Sequence, residues 1–208
     1  MKRTDEVLLV IDVQPDFMPG GALAVAGGDQ VVPVINRLAA RFERVVATQD
    51  WHPVDHASFA ANHPGRAPFS TIRLPYGEQV LWPTHCVQGS AGAALHGDLD
   101  LRRVQLVIRK GHHAAVDSYS AFVEADRTTS TGLAGYLREL GVKRVWCCGL
   151  ATDYCVAWSA LDARAAGFEA AVIEDACRAI DLDGSLARAW RDLQEAGVAR
   201  AQSADVRA

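Results

Sequence analysis

The feature that most constrains this chain is a repeated alternation. A short apolar run ends in a polar or Gly-rich break, and a segment with helical periodicity follows. The first run, residues 6–11 (EVLLVI), has the length and branched content of a buried strand, and Asp12 ends it. After a Gly-rich loop, Asp29 can cap a helix that sets Val31, Val34, Ile35, Leu38 and Phe42 on one face. Pro33 falls in its first turn, where a missing N–H breaks no helical bond. Residues 44–48 (RVVAT) and 104–108 (VQLVI) read as the second and third strands. Residues 131–140 form a helix with Gly141 as its stop, and 143–148 (KRVWCC) a fourth strand. A helix over 153–166 closed by Gly167, a strand over 169–173, a helix over 185–196 and a short strand over 198–201 complete the series. Strands joined through helices need crossovers, which makes neighbouring strands parallel and puts helices on the sheet faces. The expected fold is therefore α/β: a single-domain, three-layer αβα sandwich around a mostly parallel six-stranded sheet.

Seventeen Gly and eight Pro are scattered through the 208 residues, so no linker divides the chain and one domain spans 1–208. Half of the residues are hydrophobic, enough for a substantial core. The net charge of −4 argues against a nucleic-acid partner. The run after Met1 to Asp5 is too short for a signal segment or a membrane span, and nothing later reaches spanning length. A cytoplasmic protein is expected. Five cysteines, an odd number, point to free thiols in a reducing compartment. Cys147 and Cys148 are neighbours in an apolar strand, so their side chains point to opposite faces and packing explains both.

In an open α/β sheet, ligands bind beyond the carboxyl ends of the strands. Asp12 follows the first strand, Asp50 and His52 the second, and Lys110 the third, while Cys155 falls in the first turn of the helix after the fourth. These residues converge on one edge. A thiol at a helix N-terminus is favoured as thiolate by the macrodipole. A nearby Asp can take its proton, a Lys cation can stabilise the charge, and backbone N–H groups around Ala151 and Cys155 can receive an oxyanion. Singly, each residue has a commoner role as core filler, solvated lysine or turn former. Their joint placement suggests an activated nucleophile.

The stretch over 50–100 is long, irregular and rich in His, Pro and Gly, which favours a functional loop. Asp50 and His52, two apart, point to the same side of an extended segment, and His85 can supply a third ligand. Two imidazoles and one carboxylate leave coordination positions open and suit a divalent Zn, Fe or Mn ion. His56 is a further candidate, as ligand or as support for one. A D-x-H pair is also common as a hydrogen-bonded loop pair, and His63, His96, His112 and His113 show that histidine occurs here outside this pattern.

The segments VIDVQPDF, TQDWHP, LWPTHCVQGS, RKG and GLATDYCV, in this order, resemble the isochorismatase-like cysteine hydrolases, and within them the nicotinamidase (pyrazinamidase) branch. The resemblance runs from the first strand almost to the C-terminus. It implies an amidohydrolase that converts nicotinamide, and by extension pyrazinamide, to the ring acid and ammonia, a step of pyridine nucleotide salvage. By the same resemblance Asp12, Lys110 and Cys155 form a catalytic triad, with Ala151 and Cys155 as the oxyanion hole. Asp50, His52 and His85 hold a metal that orients the pyridine ring, and Phe17 and Trp82 wall the ring. The resemblance also implies a cis peptide bond between Leu150 and Ala151. Gly111 to Ala114 departs from the familiar pattern, which leaves the pocket rim open. Two other readings share the motifs: a metal-independent amidohydrolase of the ureidoacrylate or carbamoyl type, and a catalytically silent binding member. A small-molecule partner is expected, without nucleic acid or membrane, and a homo-oligomer is compatible with the sequence.

Overall fold

The computed structural model describes residues 4–206, so residues 1–3 and 207–208 of the expected domain lie outside the description. Among the described residues, eight strands and four α-helices follow one another: β1 (Glu6–Ile11), α1 (Val31–Ala39), β2 (Arg44–Asp50), β3 (Thr71–Leu74), β4 (Gly77–Val80), β5 (Val104–Lys110), α2 (Leu133–Glu139), β6 (Arg144–Leu150), α3 (Ala157–Ala165), β7 (Glu169–Arg178), α4 (Ser185–Glu195) and β8 (Ala199–Ala201). Six strands form one sheet in the order β5-β2-β1-β6-β7-β8. Every pairing in it is parallel. The sequence of β1 accounts for its central place: all six residues are buried, and each edge carries a partner. Truncating one of its leucines to alanine would cost about 2–5 kcal/mol by the usual cavity penalty.

The chain builds outward from β1 to β2 and β5, then returns to the other side for β6, β7 and β8. That reversal opens a crevice at the carboxyl ends of the central strands. Helices flank the sheet as expected. The buried face of α1 (Val31, Val32, Ile35, Leu38) packs on β1, β6 and β7. The buried face of α3 is small (Ala157, Ser159, Ala160, Ala163), which lets it lie close on β6 and β7.

Several boundaries differ from the sequence reading, each for a local reason. Asp29 does not cap α1: it sits in a 3-10 turn, Gly28–Gln30, and the helix starts at Val31 without a side-chain cap. Gly132, at φ +88°, precedes α2, so that helix starts at Leu133, and Thr131 instead donates to the Ala121 carbonyl at 2.6 Å. Strands β2, β5 and β6 each run two residues further than expected, and β7 runs to Arg178. Asp50 and Lys110 are thereby the last residues of adjacent strands, directly in register. The segment over 50–100 is not wholly irregular, because β3 and β4 pair in it as an antiparallel hairpin. Among the described residues no helix is long and apolar enough to cross a membrane.

Candidate active site

Asp12, immediately beyond β1, has φ +49°, a conformation unusual for a residue with a Cβ. Thr48 on the neighbouring strand fixes it, donating to Asp12 Oδ1 at 2.6 Å while accepting the Asp12 N–H at 3.1 Å. The other carboxylate oxygen faces Lys110 Nζ at 2.8 Å and keeps a lone pair for a proton. Lys110 Nζ also lies 2.8 Å from Asp50 Oδ1, donates to the Ser118 carbonyl at 3.0 Å and sits 3.4 Å from Cys155 Sγ. All of these groups are buried. Burial works against the Lys110 ammonium, but the Asp12 and Asp50 carboxylates outweigh it and hold the side chain protonated.

Cys155 does not lie in the first α-helical turn. It belongs to a turn of π-helix, Thr152–Val156, that precedes α3. The peptide bond between Leu150 and Ala151, just before this turn, is cis. The helix terminus is only one influence on this thiol. Burial pushes the Cys155 thiol well up, Lys110 pulls it down, and the Asp12 and Asp50 charges push it up again. The resting group is a thiol, and a proton must leave it for sulfur to act as a nucleophile. Asp12 is the neighbour suited to receive it. Burial raises that carboxyl's proton affinity, Lys110 opposes the rise, and Asp50 adds to it. Cys86, Cys147, Cys148 and Cys177 are also buried and unpaired, and burial pushes each of these thiols up. Lys110 has no hydrogen bond to any of the four.

Asp50, His52 and His85 come together beside this cluster. His52 Nδ1 lies 2.9 Å from the Gly111 carbonyl and His85 Nδ1 2.7 Å from the Pro83 carbonyl. A carbonyl only accepts, so each Nδ1 carries the proton and each Nε2 is left as a donor atom. These Nε2 atoms stand 2.9 and 3.3 Å from Asp50 Oδ2. Such separations, about 2.9–3.4 Å, are those of ligands about 2.0–2.1 Å from one shared ion. Charge supports the same reading, because one ammonium faces two buried carboxylates and a negative charge is left over. Burial opposes a charged His52, but Asp50 outweighs it and raises that ring's proton affinity, and a divalent ion would take the place of the proton. The residues present therefore fit a divalent metal. His56 stacks 4.2 Å from His52 and turns its nitrogens to Ser58 Oγ at 2.7 Å and the Val116 carbonyl at 3.3 Å. Asp117 lies with His52 and His56 in a second group of candidate donors.

Gly111 makes this packing feasible. It has φ +66°, and a Cβ there would run into the His52 ring.

A narrow pocket joins the two clusters, and Phe17, Trp82, Ala151 and Cys155 line it together with Asp50, His52 and His85. Both aromatic residues read from the sequence thus face the same space. That space also receives Tyr119 and Tyr154, which the sequence reading missed. Trp82 lies 4.9 Å from Tyr154, edge to face, and donates its Nε1–H to Tyr119 Oη at 2.9 Å. Tyr154 adjoins Cys155 inside a motif already singled out. Tyr119 lies in the segment Asp117-Ser118-Tyr119-Ser120 after β5, whose run of polar residues was the available signal.

A parallel α/β sheet with a buried cysteine, lysine and aspartate at its carboxyl edge defines a class of hydrolase-like proteins. More narrowly, the chain belongs to the isochorismatase domain family, whose model matches residues 6–205. The nicotinamidase of Acinetobacter baylyi is 59% identical over 99% of this chain and 97% of its own length. The solved Acinetobacter baumannii nicotinamidase/pyrazinamidase superposes with a TM-score of 0.98 at 58% identity, over the whole of both chains. The pyrazinamidase of Pyrococcus horikoshii, solved in complex with zinc, has a TM-score of 0.78 at 37% identity, over 95% of this chain and 99% of that one.

Proposed function

We propose that this chain hydrolyses nicotinamide to nicotinate and ammonia through a thioester on Cys155. The observation that carries the reading is the contact of Lys110 Nζ with Asp12, Asp50 and Cys155 at once, at the wall of an aromatic pocket. Asp12 takes the thiol proton, and Lys110 stabilises the sulfur anion. Sulfur attacks the carboxamide carbon, and the backbone N–H groups of Ala151 and Cys155 receive the oxyanion. Asp12 returns the proton to nitrogen as the C–N bond breaks and ammonia leaves. Water then gives a proton to Asp12 and adds to the thioester. The C–S bond breaks, nicotinate departs and the sulfur regains its proton.

Asp50, His52 and His85 would hold a divalent Zn, Fe or Mn ion, which when bound supplies a Lewis-acid anchor for the ring nitrogen. Phe17 and Trp82 hold the ring between them, and pyrazinamide, with the same ring nitrogen and carboxamide, fits the same space. The names of the three relatives support this reading. We take residues 1–208 as one domain acting on small molecules, and the five unpaired cysteines support a reducing cytoplasm.

Ammonia release from nicotinamide, measured with and without a chelator, tests the proposal. The expected result is turnover that chelation suppresses and added metal restores. No ammonia release from the metal-loaded protein would overturn it.

A further inference from the structure

A further group of metal-ligating side chains, the third, lies outside the pocket, on the loop that leaves β5. His112, His113 and Glu124 bring one donor atom each to within 4.8 Å of one another. Glu124 is buried, at 2% exposure, and its carboxylate meets the half-exposed His113, whose Nδ1 lies 2.8 and 2.9 Å from its two oxygens. The His112 and His113 rings lie 4.0 Å apart at 44°. Among the described residues no protein group hydrogen-bonds to the His112 ring, so both of its nitrogens are available.

We infer that His112, His113 and Glu124 form a second site for a borderline divalent cation such as Zn²⁺, separate from the Asp50, His52 and His85 cluster. The chemistry follows from the donors. Two imidazoles with one carboxylate favour late first-row ions over Mg²⁺ or Ca²⁺, which prefer all-oxygen shells. The separations between His113 Nδ1 and the carboxylate oxygens are those of two ligands sharing one ion with bonds of about 2.0–2.1 Å. The exposed side of the cluster leaves water or a further ligand room to complete the shell. Burial of Glu124 fixes one donor in advance, and its backbone is tied by an N–H bond to the Thr129 carbonyl at 2.9 Å.

The position gives the site a consequence. The loop between His112 and Glu124 contains Ser118, whose carbonyl accepts from Lys110, and Tyr119, which lines the pocket. An ion held by both ends of this loop would join them and restrict its opening. Hydrogen exchange across residues 112–124 should therefore slow when the second ion binds.

The test is to equilibrate the intact protein with Zn²⁺, remove loosely held metal, and measure both zinc content and calorimetric binding. Two ions per chain are expected. The variants H112Q, H113Q and E124Q should each keep one ion and bind the second more weakly by about tenfold or more, the scale on which loss of even a supporting group weakens a metal site. H112Q removes an exposed side chain and so keeps the comparison valid if E124Q disturbs the fold. D50N should lose the other ion and retain this one. A wild-type stoichiometry of one, or a second ion that survives H112Q and H113Q unchanged, would overturn the assignment.

Discussion

The two sides of the pocket are built differently. Asp12 follows the central strand β1, Lys110 ends the edge strand β5, and Cys155 sits in the π-turn after β6, so the sulfur side is carried by regular elements and the turn that leaves one of them. On the other side only Asp50 ends a strand. His52 and His85 come from the long segment after β2, held by backbone carbonyls and by an isolated bridge from His52 to Val87. Groups that must handle a proton within a fraction of an ångström sit on rigid elements. Groups that place a ligand sit on a loop pinned by hydrogen bonds to backbone carbonyls. Lys110 joins the two sides, with equal 2.8 Å contacts to Asp12 and Asp50.

That bridge is the first place to break the contrast. Lys110→Met should disable both sides together, because two buried carboxylates lose their cation. Loss of one partner from a buried ion pair costs about 3–5 kcal/mol, so a fall in Tm should accompany loss of turnover. Thermal unfolding and ammonia release measure the two effects. Asp12→Asn confines the damage to the sulfur side. It should lower kcat by about 10²–10⁴-fold, the range for removal of a general base, while metal content stays at the wild-type level.

His85→Ala confines the damage to the cation side. Metal affinity should fall by more than about tenfold, and KM for nicotinamide should rise. Addition of metal should recover part of the activity, as it cannot for Asp12→Asn. The smallest effect belongs to Tyr119→Phe, which removes the oxygen that accepts from Trp82 and Gln79. Gln79 keeps its bonds to Asp117 and the Val80 carbonyl, but the buried Trp82 N–H is left unpaired at a cost of about 1–3 kcal/mol of stability, with a modest rise in KM as Trp82 loosens.

The same contrast explains what was legible in the sequence. Asp12, Asp50 and Lys110 could be placed because each ends or follows a recognisable apolar run, and strand ends in a parallel sheet share one edge. His85 could not be joined to His52 by periodicity, because no regular element connects them, so the residues offered it only as a candidate third ligand and the resemblance to a family singled it out. The π-turn at Cys155 was not legible, since wider helical hydrogen bonding depends on tertiary packing rather than on local composition. The thiol's raised proton affinity was missed for a related reason. The expectation rested on one helix terminus and left out burial, the largest influence, to which the Asp12 and Asp50 charges add. The β3–β4 hairpin had a local cue in Pro75 and Gly77, which sit between two short alternating runs.

Replacing the Cys155 sulfur tests this chemistry most directly. Cys155→Ala, with metal content and Tm verified as unchanged, should release ammonia from nicotinamide at no more than the background rate. Turnover near the wild-type rate would contradict a thioester route and would assign the reaction to a nucleophile other than this thiol.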